Sequence, residues 1–157
     1  MTIKTIVLSG GAYKGFYTIG ALKHLTEVKF YNIDNIERIY GTSVGSLLGA
    51  LLCLKLNWDD MIAYAINKPW HKSFKFSIDT LLDTISKKGF IQRKFVEDIF
   101  VNLLKGAGLN TSTTLLDLYT HSNIELNIFS VNMTKFELER FSYKTKPDMK
   151  IIDAVYK

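Results

Sequence analysis

IERIYGTSVGSLLGALLCLKL, residues 36–56, changes character at Gly41. Before it, Ile36 to Tyr40 carries the branched and aromatic side chains of a short sheet strand. After it, Val44 to Leu54 is apolar nearly all round, which predicts a helix covered on several sides by other elements. Between the two runs stands Ser43, flanked by Gly41 and Gly45. A G-x-S-x-G turn from strand to helix lifts the serine hydroxyl above the sheet edge, and the glycines remove side chains that would collide there. The helix N-terminus then offers free N–H groups and a dipole to negative charge developing beside that oxygen, as acyl transfer requires. The stretch therefore predicts an α/β fold that presents Ser43 as a nucleophile.

The same unit precedes it. Ile3 to Leu8 is a strand-like run ending at Ser9-Gly10-Gly11, and Phe16, Ile19, Leu22, Leu25 and Val28 then recur at helical spacing over Gly15 to Lys29. Downstream, Asn57 is a helix cap for Trp58, Met61, Ile62, Ala65 and Ile66, and that helix stops before Pro69. Helical spacing returns over Ile78 to Ser86, over Gln92 to Lys105 and briefly over Thr114 to Tyr119. Ile124 to Met133 and Phe136 to Tyr143 alternate as strands, with Thr134-Lys135 as a tight hairpin turn between them. This order predicts one α/β domain over residues 1–157 with a mixed, mostly parallel sheet covered by helices.

Composition narrows the function classes. The chain has 157 residues, 47% hydrophobic and 22% charged, which suits one globular core. Its net charge of +5 comes from dispersed lysines, so solvated faces are expected, with an anionic membrane surface as the other use of that charge. No basic stripe or nucleic-acid motif is present, and nucleic-acid binding is not expected. Cys53 is the lone cysteine, and Met1 leads directly into a strand, so a reducing, cytoplasmic setting is expected. The longest apolar run, Val44 to Leu54, falls far short of the roughly 20 residues a spanning helix needs, and a soluble or peripheral protein is expected.

The first glycine loop, Ser9 to Gly15, lies at the end of the neighbouring strand, where its backbone N–H groups can converge on an oxygen held against Ser43. A nucleotide-binding reading of that loop fails. Gly10 and Gly15 fit the outer positions of G-x-G-x-x-G, but Ala12 occupies the middle one, and Lys14 precedes its glycine instead of following it. Asp34 alone, at the distance of a ribose-binding acid, is a weak counter-signal. Of the histidines, His24, His71 and His121, none is tied to Ser43 by spacing; a Ser-His-Asp esterase would have to use His121 with Asp117. The histidines and Cys53 show no metal-ligand spacing, and neither a metal nor a cofactor is expected. Trp58, Trp70, Phe74 and Phe76 are candidates for a lipid-facing lip, with core packing an equal explanation.

LSGGAYKG (Leu8 to Gly15) followed by a helix, together with GTSVG (Gly41 to Gly45) and LLGALL (Leu47 to Leu52), resembles the patatin-like phospholipases. Asn123 to Tyr143, and Pro147 to Val155 before an expected helix, are similar to the later core of that family, so the likeness spans nearly the whole chain. The resemblance implies a modified α/β-hydrolase architecture and a phospholipid or other acyl-lipid substrate. It makes Ser43 the nucleophile of a Ser-Asp dyad and the backbone around Gly10, Gly11 and Ala12 the oxyanion hole. Lys14 matches the basic position before the motif's last glycine, Gly15. Two positions depart from the pattern. Ala12 stands where the family carries glycine, which either narrows the approach to the oxyanion or is tolerated if its φ is negative. None of the aspartates (Asp34, Asp59, Asp60, Asp79, Asp83, Asp98, Asp117, Asp148 and Asp153) is followed by the glycine of the dyad's D-G-G or D-G-A motif. The expectation is thus an N-terminal part of a longer hydrolase, inactive alone, whose incomplete sheet leaves part of the Val44 to Leu54 helix uncovered. The contrasting expectation is a non-catalytic lipid-binding module.

Overall fold

A computed structural model describes residues 2–70 and 93–157. The expected helix at 78–86, together with His71, Phe74 and Phe76, lies outside the described residues. The elements are β1 (Thr5–Leu8), α1 (Gly15–Glu27), β2 (Arg38–Thr42), α2 (Val44–Cys53), α3 (Trp58–Asn67), α4 (Arg93–Gly106), α5 (Leu115–Ser122), β3 (Glu125–Asn132), β4 (Glu137–Phe141) and α6 (Ile151–Tyr156).

The four strands lie in sequence order, with β1, β2 and β3 parallel and β4 antiparallel to β3. Both parallel crossovers step the same way across the sheet, and right-handed crossovers of that kind set their helices on one face. Burial agrees. Ile39, Leu126 and Ile128 face α2 and are enclosed, whereas Val7 (75% exposed), Val131 and Leu138 on the opposite face are open. The helical cover is therefore on one face among the described residues.

Gly49 explains how closely α2 lies on the sheet. A side chain there would meet Ile39 Cγ2 and Leu126 Cδ1 at 2.9 Å, so the helix backbone itself rests on the strands. On its other flanks α2 meets α5 and α6, and Leu48, Ala50, Leu52, Cys53 and Leu54 are all buried. Each such enclosed aliphatic side chain contributes about 1.5–3 kcal/mol. Val44, Leu47 and Leu51 of the same helix are only half-buried, in keeping with the expectation that part of it stays uncovered, and the far sheet face is open at Val7, Val131 and Leu138. Phe100 and Leu104 of α4 and Ile151 and Ile152 of α6 complete the core, and Arg93 ties these two helices by bonding Asp153 at 2.6 Å while pairing with Glu97 of its own helix at 2.9 Å.

Three element boundaries differ from expectation. β2 runs to Thr42 because Gly41 and Thr42 pair with Ile128 and Phe129, so the strand extends to the very foot of Ser43. The hairpin loop is four residues, 133–136, and not the two expected, since Asn132 is the last residue to pair, with Glu137. The final helix begins inside the run from Pro147 to Val155, at Ile151, and not after it.

Candidate active site

The reversal from β2 to α2 is made in one residue. Thr42 is anchored to β3 by its Oγ1, which donates to the Phe129 carbonyl at 3.3 Å. Ser43 then adopts φ 53° and ψ −129°, and α2 starts at Val44, with the Ser46 N–H donating to the Ser43 carbonyl at 2.9 Å. A left-handed φ costs an L-residue about 1–2 kcal/mol, and strain of this kind persists where surrounding structure over-determines it. Here the surroundings are visible. A side chain on Gly41 would lie 2.6 Å from the Gly45 carbonyl oxygen, and one on Gly45 would lie 2.2 Å from the Leu8 carbonyl oxygen. No other residue fits either place. Ser43 is exposed, and its side chain makes no capping bond to α2, so the hydroxyl is free to act on something outside the helix.

Contact between Gly45 and Leu8 draws the end of β1 against the start of α2, which sets the first glycine loop beside the serine. A side chain on Gly10 would come 3.3 Å from Ser43 Cβ. The loop is closed by the Lys14 N–H donating to the Gly11 carbonyl at 2.9 Å and is pinned by Gly15, where a side chain would meet Val44 Cγ2 at 2.5 Å. The amides of Gly10 and Gly11 enter none of the loop's backbone bonds among the described residues. Ala12 sits at φ 47°, so the condition under which alanine is tolerated, a negative φ, is not met; the loop holds it in the conformation that glycine adopts without strain. Lys14 is exposed.

His121 is not brought to this site. Its Nε2 lies 3.3 Å from the carbonyl oxygen of Leu54, at the C-terminal end of α2, and that helix separates it from Ser43 by about 16 Å. Asp117 is committed elsewhere as well: its carboxylate accepts from the Thr114 N–H at 2.9 Å and the Thr114 hydroxyl at 2.8 Å, which caps α5 and holds it below the usual carboxylate range. His24 is exposed on α1, about 14 Å along the helix from Gly15. Asp34 pairs with Lys55 at 2.8 Å just before β2, at the sheet edge opposite Ser43. Burial pushes the Cys53 thiol up to about 12, too high for a nucleophile at neutral pH. A cavity of about 430 Å³ lined by Asn110, Ser112, Asp117, Thr120 and His121 belongs to that far end too.

Of the expected lip, Trp58 packs against the core, and Trp70 is half-buried, donating from Nε1 to the Ala65 carbonyl at 2.6 Å with Phe16 edge-on at 5.6 Å. Among the described residues, exposed apolar side chains at the Ser43 edge include Tyr13, Phe16 and Tyr17 after β1, and Met133 and Phe136 in the hairpin loop. The signal for Met133 and Phe136 in the sequence is apolar residues at a strand end, where turns are ordinarily polar. No helix among the described residues is long and apolar enough to cross a membrane.

The family model for patatin-like phospholipase matches residues 6–156. A probable lipid hydrolase of Invertebrate iridescent virus 6 is 28% identical over 97% of the chain and 51% of its own length. A cUMP-AMP-activated phospholipase of Escherichia coli is 28% identical over 68% of the chain and 33% of its own length. The chain thus spans about half the length of the viral relative. Among solved structures, ExoU from Pseudomonas aeruginosa in complex with SpcU is similar with a TM-score of 0.68 at 19% identity, over 98% of the chain and 37% of ExoU. VipD from Legionella pneumophila gives 0.57 at 19% identity, over 98% and 41%. These two likenesses establish the fold.

Proposed function

The chain belongs to the patatin-like phospholipase family, and from that premise we propose that it carries the nucleophile and oxyanion half of a lipid acyl hydrolase acting on phospholipids or other acyl lipids. The observation that supports this most directly is the strained Ser43 turn with the backbone of Gly10 against it, 3.3 Å from Ser43 Cβ to where a side chain on Gly10 would begin. In the reaction, Ser43 Oγ attacks the ester carbonyl carbon as its proton passes to a base. The carbonyl oxygen becomes an oxyanion and accepts from the N–H groups around Gly10, Gly11 and Ala12, with the N-terminal dipole of α2 beside it. Collapse expels the alcohol, which takes the proton, and leaves the acyl group esterified to Ser43. Water then attacks that ester with the same base, releasing the fatty acid and restoring the serine.

The base is proposed to be an aspartate, completing a Ser-Asp dyad from sequence that matches the remaining length of the relatives, because no aspartate of these 157 residues stands before glycine. His121, at the far end of α2, does not favour the triad reading. Two measurements on the full-length protein test the proposal: ester turnover and covalent labelling by a fluorophosphonate. Ser43→Ala should abolish both while leaving the unfolding free energy within about 0.5 kcal/mol of wild type, since an exposed hydroxyl adds little to a core. Near-native turnover in that variant would reject the assignment. Unlabelled wild-type protein would instead favour the non-catalytic lipid-binding module.

A further inference from the structure

We infer that the β3–β4 hairpin tip, with the aromatic residues that open α1, is a bilayer-docking edge that seats Ser43 against an anionic phospholipid surface; the inference rests on the lipid-hydrolase reading and adds the surface that brings the substrate. The decisive residue is Phe136. It is 80% exposed and has φ 54°, at the last position of a four-residue loop where glycine or asparagine is relaxed. Neither burial nor turn preference accounts for a phenylalanine there. The loop is nevertheless firmly built: Asn132 accepts at Oδ1 from the N–H groups of Thr134 (3.1 Å) and Lys135 (3.2 Å), and its carbonyl accepts from the Phe136 N–H at 2.7 Å. A rigid turn thus displays Phe136 and Met133, itself 71% exposed, as a fixed apolar tip. A sequence that breaks a local rule in an ordered place does so most often where function is located.

Topology sets this tip at the active edge. β3 is level with Thr42 at Phe129 and runs on to Asn132, so the loop stands about 10 Å beyond the serine. On the other side of Ser43, after β1, the exposed rings of Tyr13 and Tyr17 form the second margin. Apolar groups that dock at an interface enter the headgroup and acyl boundary by about 5–10 Å. Immersing the tip by that depth brings Ser43 to within about 5 Å of the membrane boundary, facing the lipid headgroups. Charge supports the same partner. Lys14 and Lys135 lie on this edge, and neither enters an ion pair among the described residues, which leaves both ammonium groups for lipid phosphates. Glu137, the residue below the loop, limits the electrostatic share and makes the apolar tip the main anchor.

Co-sedimentation with vesicles tests this without requiring turnover. The protein is taken with Ser43→Ala, so that bound lipid stays intact, and vesicles of phosphatidylcholine alone are compared with vesicles containing phosphatidylglycerol. The Ser43→Ala protein should partition onto vesicles, and Phe136→Asp should lower the partition coefficient at least about tenfold, as expected from the burial of one aromatic side chain. Lys135→Glu should remove about fivefold or more of the preference for phosphatidylglycerol. Phe136→Gly separates docking from folding, because glycine relaxes the turn. Its melting midpoint should be unchanged or higher while binding falls. Unaltered partition in Phe136→Asp, or absence of binding by the Ser43→Ala protein with an intact tip, would overturn the inference, the second outcome pointing to a protein surface as the occupant. Because binding is read apart from hydrolysis, failure of the catalytic reading leaves this result unaffected.

Discussion

Ser43 and Gly10 meet at the narrowest point of the site, and their closeness gives the chemistry a small tolerance. The serine is held at a positive φ by neighbours that leave it no other course, which under the proposed reaction positions its oxygen before substrate arrives. A methyl group on Gly10 would enter that gap at 3.3 Å from Ser43 Cβ and 3.7 Å from the Thr42 carbonyl oxygen. Accommodating it shifts the loop by a few tenths of an ångström, enough to mis-aim N–H donors without unfolding the turn. Under the proposed mechanism Gly10→Ala should therefore lower kcat of the full-length protein by about 10–100-fold with KM within about twofold, because the donors would act on the transition-state oxyanion and hardly on the ground-state carbonyl. Equal loss in kcat and gain in KM would place the effect on substrate access. Ala12 shows the limit of reading one residue from sequence. Its departure from glycine is plain in the chain, but its φ of 47° follows from the closure of the loop by Lys14 onto Gly11, a contact that no composition announces.

Among the elements, α5 shows how completely a short helix can depend on its cap. Eight residues supply few internal bonds, and Thr114 and Asp117 satisfy each other's backbone N–H reciprocally at 2.9 Å and 3.1 Å. Thr114→Ala should cost about 1 kcal/mol in thermal or urea unfolding. The pH dependence has a definite sign. The Thr114 backbone N–H, and then its hydroxyl, favour the Asp117 carboxylate and hold its folded pKa below the usual value. Its contribution is thus fully present above the unfolded aspartate pKa of about 3.9 and is lost as pH falls through the lowered folded value. In Asp117→Asn that part of the acid limb should flatten; an unchanged slope in urea titrations below pH 4 would show that the cap does not carry it. The parallel units were legible because a strand-like run gives way to helical spacing across a glycine loop at Gly10-Gly11 and again at Gly41. The hairpin was legible in kind and misread in length, since Met133 and Phe136 are apolar and extend the strand pattern into what is in fact the turn.

On the scale of the whole molecule, helix α2 separates two ends that sequence cannot tell apart. Ser43, the glycine loop, Tyr13, Tyr17 and the hairpin tip occupy one end; His121, Asp117 and the polar cavity occupy the other. Spacing along the chain gives no hint of this division, because His121 and Ser43 are related only through the packing of α5 against α2. The triad alternative and the dyad reading therefore make opposite statements about one substitution. A histidine about 16 Å from the serine takes no proton from its hydroxyl, and His121 meets the Leu54 carbonyl instead, at the C-terminal end of α2. His121→Ala in the full-length protein should keep ester turnover within about twofold of wild type and retain fluorophosphonate labelling, with a stability loss of about 1 kcal/mol from the missing contact. A fall in turnover by about 10³ or more, at unchanged stability, would mean that a proton relay reaches Ser43 from the far end of the helix, and the aspartate sought in the relatives' remaining length would then have no part in the reaction.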